Sequence, residues 1–171
     1  MVNIKFRAIE REDLEKLRDN RNAPILYVNF RQWKLLTEKD QENWYESLHQ
    51  GQFPQTIMFA VDSHTEYRIL IGCVGLTSID YKNGNAEISI YVDARHQGNG
   101  HGKAILEFIT NYAFEELRLH KVYAEIFAFN ERSMAIFKTN GFVVSGKLTD
   151  NIWRNGKYHD SYILEKINVK I

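Results

Sequence analysis

The residues best placed to do chemistry are contiguous: Arg95-His96-Gln97-Gly98-Asn99-Gly100-His101-Gly102-Lys103. Glycines at 98, 100 and 102 let the backbone curl until several N–H groups converge on one point. The run opens an apolar stripe of Ile105, Phe108, Ile109, Tyr112 and Ala113, spaced i, i+3, i+4, i+7, i+8, which predicts a helix from Gly102 to about Arg118. The start of that helix adds partial positive charge, and Arg95 and Lys103 add full charges nearby. The chemistry is anion binding, and a diphosphate is the natural guest. The bland alternative is a tight turn with no ligand. A Walker A loop fails, because Gln97 stands where its first glycine belongs and Ala104 follows Gly102-Lys103. A Rossmann Gly-x-Gly-x-x-Gly fails at Lys103.

The elements that must hold this loop can be read from periodicity. Ile4 to Ile9 alternates as a strand, and Glu12 to Asp19 reads as a short helix. Thr37-Glu38-Lys39-Asp40 is a helix start, with Trp44, Tyr45 and Leu48 on one face. Apolar β-rich runs cover Ile57 to Val61 and Ile69 to Ile79, followed by a hairpin turn at Asn83-Gly84 and a strand from Ala86 to Val92. Lys121 to Phe129 is a further strand. Asn130 caps a short helix that ends at Asn140-Gly141. Phe142 to Thr149 and Tyr158 to Ile167 complete the set, joined through Asn155-Gly156. A meander of strands that then alternates with helices predicts an α+β fold. Its sheet is mixed, mostly antiparallel, of about seven strands with about four helices on its faces.

Composition narrows the function. The 171 residues suit one domain, read here as 1–171. The 22 basic and 22 acidic residues cancel, which argues against a nucleic-acid or membrane partner. Cys73 is the single cysteine, so no internal disulfide forms; it sits in an apolar run and reads as core rather than nucleophile. Met1 to Arg7 has no leader-like apolar stretch, and no run approaches a membrane span, so a cytoplasmic protein is expected. No set of histidines, cysteines and carboxylates has metal-ligand spacing, and no metal is expected.

The spacing Gln97-x-x-Gly100-x-Gly102 resembles the coenzyme A signature of the GNAT N-acetyltransferase superfamily. The strand Ala86–Val92 before it is similar to that family's, and Asn130 to Phe142 is similar to its second cofactor motif. Gly146-Lys147-Leu148 and Asn155 to Asp160 look like the branch of ribosomal-protein, spermidine and nucleotide-amino-sugar acetyltransferases. The resemblance implies the GNAT acyl-CoA N-acyltransferase fold, acetyl-CoA as donor, and direct attack of an amine in a ternary complex. It implies donor contacts from Tyr91, Val92, Gln97, Gly98, Asn99, Gly100, His101, Gly102, Lys103, Asn130, Phe137 and Lys138. A homodimer is a family-level expectation.

An alkyl ammonium with a pKa of roughly 10.4 must lose a proton before it attacks. Glu87 is the candidate base, on one strand face with Ser89 and Tyr91. Many family members carry a tyrosine acid seven residues after the motif asparagine; here that position is Phe137, and Ser133 or water takes its place. A catalytically silent acyl-CoA-binding module is the competing reading. Arg21, Phe30, Trp33 and Glu87 are the acceptor-side candidates. Arg18, Arg21, Arg31 and Lys34 against Asp19 make that stretch basic. A basic cleft disfavours spermidine and suits a nucleotide-linked amino sugar, with a protein N-terminus the other candidate.

Overall fold

The computed structural model describes residues 3–64 and 68–169. Met1 and Val2, part of the stretch read above for a leader, lie outside the described residues. The chain runs β1 (Ile4–Arg7), α1 (Leu14–Asn22), α2 (Pro24–Tyr27), α3 (Glu38–Ser47), β2 (Ile57–His64), β3 (Arg68–Asp80), β4 (Asn85–Val92), α4 (His101–Asn111), β5 (Lys121–Phe127), α5 (Glu131–Thr139), β6 (Val143–Arg154) and β7 (Lys157–Ile167). The strands form one sheet in the order β1-β2-β3-β4-β5-β7-β6, antiparallel except for β4 against β5. The expected mixed sheet of seven strands is the one observed. The α-helices number five among the described residues, one more than expected, because Pro24 starts the single turn α2.

Local chemistry explains the boundaries. Thr37 caps α3 by accepting from the Asp40 N–H, and the Asp40 carboxylate accepts in return from the Thr37 N–H. Between β3 and β4 the chain makes a four-residue loop rather than a two-residue hairpin. The Asp80 carboxylate accepts from the backbone and side-chain N–H groups of Asn83 and holds that wider turn. At the other hairpin Asn155 and Gly156 have φ of 51° and 79°, as a tight turn requires. β6 therefore runs on to Arg154 instead of stopping at Thr149. The helix expected up to Arg118 changes character at Tyr112, where one π-type turn finishes it.

The main core lies between the sheet and α4, whose Ile105, Leu106 and Ile109 are fully buried. Each contributes about 1.5–3 kcal/mol by leaving water. That burial fixes α4, and so fixes where its N-terminus points. A smaller cluster of Leu14, Leu17, Ala60 and Cys73 seats α1 on the opposite side.

One irregularity creates the site. β4 and β5 pair only from Asn85↔Lys121 to Glu87↔Tyr123. Beyond Glu87 the two strands part: β4 stays with β3 as far as Val92↔Gly72, and β5 stays with β7 as far as Phe127↔Ser161. The wedge between them leaves a sheet edge on each side with no ladder partner across the gap, a place for a ligand to enter.

Candidate active site

A cavity of about 700 Å³ fills the wedge, lined by β4 from Glu87 to Val92 and β5 from Ala124 to Phe127. Its mouth is the glycine loop. Gly98 and Gly100 adopt φ of 89° and 77°, in the left-handed region that side chains resist. Gly100 is the residue immediately before α4, so the free N–H groups of that helix open on the cavity at His101, Gly102 and Lys103. At Gly102 an added Cβ would lie 3.0 Å from Ile136 Cδ1, so a small residue lets α4 approach α5 closely. Gln97 Nε2 donates to the Val92 carbonyl at 2.8 Å, and Gln97 Oε1 accepts from Arg132 at 2.6 Å. His101 Nδ1 lies 2.8 Å from the His96 carbonyl. Asn130 Oδ1 accepts from the Ser133 N–H at 3.1 Å and caps α5, and both residues line the cavity.

Two donor-side expectations change. Arg95 does not face the cavity: it donates to Asp93 from its backbone N–H at 3.0 Å and from its guanidinium at 2.7 Å. Asp93 also meets Lys16 at 3.1 Å. The Arg95 hydrogen bond first, then Lys16, holds that carboxyl well below the usual carboxylate range. Asp93 thus ties the end of β4 to α1 through Lys16, with Arg95 holding its carboxylate in place. The guanidinium that does line the donor end is Arg132, in the first turn of α5. Its position two residues after the capping Asn130 was the available signal. Asn99 and Lys138 are exposed and outside the lining, whereas Phe137 is buried, packing edge-on against Phe142 at 4.9 Å.

At the centre of the wedge Glu87, Ser89 and Tyr91 line the cavity together. The Glu87 carboxylate is paired with Arg31, with Nη1 at 3.2 Å from Oε2 and Nη2 on Oε1. The same Nη2 lies 3.3 Å from Glu125 Oε2. Glu125, on β5, was not singled out from the sequence. The hydrogen bond to Glu87 is the main cause of a raised Arg31 pKa. Burial pushes the Tyr91 phenol well above its ordinary value, so it stays protonated. Burial pushes the Cys73 thiol up to about 12, which makes it a neutral core side chain.

The acceptor side is formed by α1, α2 and the segment after them. Arg21 and Phe30 line it, but Trp33 is 82% exposed and outside the lining. The basic cleft expected from the sequence is largely neutralised. Arg18 meets Asp19 at 2.9 Å and Glu38 at 3.2 Å, Lys34 meets Asp40 at 2.9 Å, and Arg31 meets the two glutamates. Apart from Asp19, which was counted, these acids lie on α3, β4 and β5, so counting charges in one stretch missed them. Arg21 is the exception: it has no acidic partner among the described residues, burial lowers its pKa, and its Nε lacks a hydrogen bond. Its guanidinium sits 5.2 Å from the Phe30 ring centroid. Among the described residues no group of three or more side chains is arranged to hold a metal, and no helix is long and apolar enough to cross a membrane.

A mixed sheet split between two parallel strands, with a glycine-built helix N-terminus at the split, is the architecture expected of an acyl-CoA-dependent N-acyltransferase. Comparison with known proteins agrees: residues 3–143 match the family described as acetyltransferase (GNAT) domain, and the chain belongs to it. It is 28% identical to the spermidine N(1)-acetyltransferase of Vibrio cholerae, over 95% of this chain and 93% of that one. A putative ribosomal N-acetyltransferase of Bacillus subtilis is 35% identical, over 53% of this chain and 50% of its own. The crystal structure of the Vibrio cholerae spermidine enzyme in complex with CoA and spermine superposes with a TM-score of 0.89 at 25% identity, covering 96% of this chain and 95% of that one. The chain is an acetyl-CoA-dependent N-acetyltransferase.

Proposed function

We propose that this enzyme acetylates a small-molecule primary amine, with a polyamine such as spermidine as its first-choice acceptor. The observation that carries the reading is the pair of carboxylates at the split, Glu87 and Glu125, which suits an ammonium group. The spermidine acetyltransferases among its relatives support the same class. The neutralised α1–α3 segment removes the charge argument for a nucleotide-linked amino sugar. A second reading rests on Arg21: a half-buried guanidinium with no acidic partner among the described residues suits an amine that also bears a carboxylate or phosphate.

The donor's diphosphate lies on the N–H groups opened by Gly98 to Lys103, with Arg132 and Lys103 supplying charge. Backbone N–H groups on the unpaired edge of β4 near Tyr91 and Val92 stabilise the thioester oxygen as it becomes negative. Glu87, directly or through water, takes the proton from the ammonium. The amine nitrogen then bonds to the thioester carbon and gives up its second proton to water, the carbon–sulfur bond breaks, and the thiolate leaves. A thiol pKa of ~8.5 makes thiolate a tolerable leaving group without a tyrosine acid. Ser133 or water provides its proton. Self-association completes the proposal. A dodecameric structure is known for the Vibrio cholerae spermidine enzyme, and Val143, Val144, Leu148 and Trp153 are exposed on the edge strand β6.

The test is thiol release from acetyl-CoA across spermidine, a monoamine, an amino acid, a nucleotide-linked amino sugar and an N-terminal peptide. Spermidine should give the highest kcat/KM. Turnover confined to the amino acid or the amino sugar would move the assignment to the Arg21 reading. Tight CoA binding without turnover on any amine would identify a silent module instead.

A further inference from the structure

Glu125 has surroundings that donor binding does not require. Its Oε1 accepts from Asn151 Nδ2 at 2.6 Å and from Ser161 Oγ at 2.7 Å. Asn151 Nδ2 also reaches Ser161 Oγ at 2.9 Å, and Ser161 is fully buried between the strands. Two neutral donors from β6 and β7 therefore fix one carboxylate oxygen and leave Oε2 turned toward the split. On the opposite bank stands Glu87. The two side chains are only 13% and 14% exposed. Two carboxylates across a partly desolvated gap repel unless a cation lies between them.

Arg31 is that cation, and it is an unusual one. It comes from the irregular segment between α2 and α3, and its side chain is 52% exposed. Arg154, at the far end of β6, donates to the carbonyls of Phe30 at 2.6 Å and Gln32 at 3.0 Å. The backbone on both sides of Arg31 is thus held, while the Arg31 side chain is anchored, among the described residues, by the two acids. An incoming alkyl amine is an ammonium at neutral pH, with a pKa of roughly 10.4. It needs the seat that the guanidinium occupies.

We infer that Glu125 is an acceptor-binding residue, that Glu87 and Glu125 together form the seat for the acceptor's ammonium group, and that Arg31 fills this seat until the acceptor displaces it. The inference rests on the amine acetyltransferase function proposed above. The division of labour follows from the hydrogen bonds. Glu125, tied to Asn151 and Ser161, stays in place and binds. Glu87, whose carboxylate has no hydrogen-bond partner other than Arg31 among the described residues, is released to accept the proton when Arg31 leaves. The seat takes amines that arrive charged.

Steady-state kinetics at saturating acetyl-CoA, with spermidine and butylamine as probes, test this. Arg31→Gln should lower KM for both amines several-fold, so that kcat/KM rises. Arg31→Lys, which restores a competing cation, should return KM toward the wild-type value. Glu125→Gln should raise KM by tenfold or more, with the larger effect on KM than on kcat. A fall in kcat/KM for Arg31→Gln, or an unchanged KM for Glu125→Gln, would overturn the assignment. Unchanged circular dichroism and CoA affinity in each variant separate a binding effect from misfolding. Wild-type enzyme that turns over no amine overturns the proposed function and this assignment with it. Turnover with a KM indifferent to both substitutions overturns this assignment alone.

Discussion

Most of the polar contacts that shape the donor end of the cleft join near neighbours in sequence: Gln97 with Val92, His101 with His96, Ser133 with Asn130. The acceptor end is held by contacts of another order. Arg31 reaches Glu87, Ser161 reaches Glu125, and Arg154 reaches back across most of the chain to Phe30. The donor end is pre-built: glycines in left-handed conformations, a helix start and a cap need little beyond their own segment and the packing of α4. The acceptor end exists only once β4, β5, β6 and the α2–α3 segment are assembled, and its own arginine sits in it. Donor recognition should therefore be robust to changes in the acceptor half, and acceptor recognition should respond to them.

Substitutions at the two ends can break that contrast. The largest expected effect is on chemistry. Glu87→Gln should cut turnover on the order of 10²-fold at neutral pH while leaving CoA affinity unaltered. The deficit should shrink as pH rises toward the amine's own pKa of roughly 10.4, because the acceptor then arrives without the proton. A pH–rate profile parallel to the wild type would remove Glu87 from the role of base. Gly100→Val should act on the other end. Valine at φ near 77° is strained by about 1–3 kcal/mol, so CoA affinity should fall roughly tenfold or more by calorimetry. Intact CoA affinity would mean that the loop is only a turn.

The same contrast explains what the sequence revealed. The seven strands, the α4 stripe, the Thr37 and Asn130 caps and the glycine loop are encoded by residues a few positions apart, and periodicity exposes them. Arg95 misled because its charge was counted without Asp93, two residues earlier, which claims it. Phe137 sits where a tyrosine was sought, and its burial against Phe142 shows an apolar wall in place of a proton donor. Glu125 and Arg132 look ordinary in sequence, one within a strand and one in a helix turn. Glu125 gains meaning from Asn151 and Ser161, which only the sheet order β5-β7-β6 brings beside it. Trp33, an aromatic beside arginines, promised a ligand contact that the fold turns outward.

Calorimetric titration of CoA, and of spermidine into the CoA-loaded protein, on wild type and Arg31→Gln tests the central contrast most directly. CoA should bind both proteins alike without any amine present, and spermidine should bind several-fold tighter to Arg31→Gln. CoA affinity that shifts with the substitution, or spermidine that binds Arg31→Gln no better than wild type, would contradict a pre-built donor site facing an acceptor seat held by the chain's own arginine.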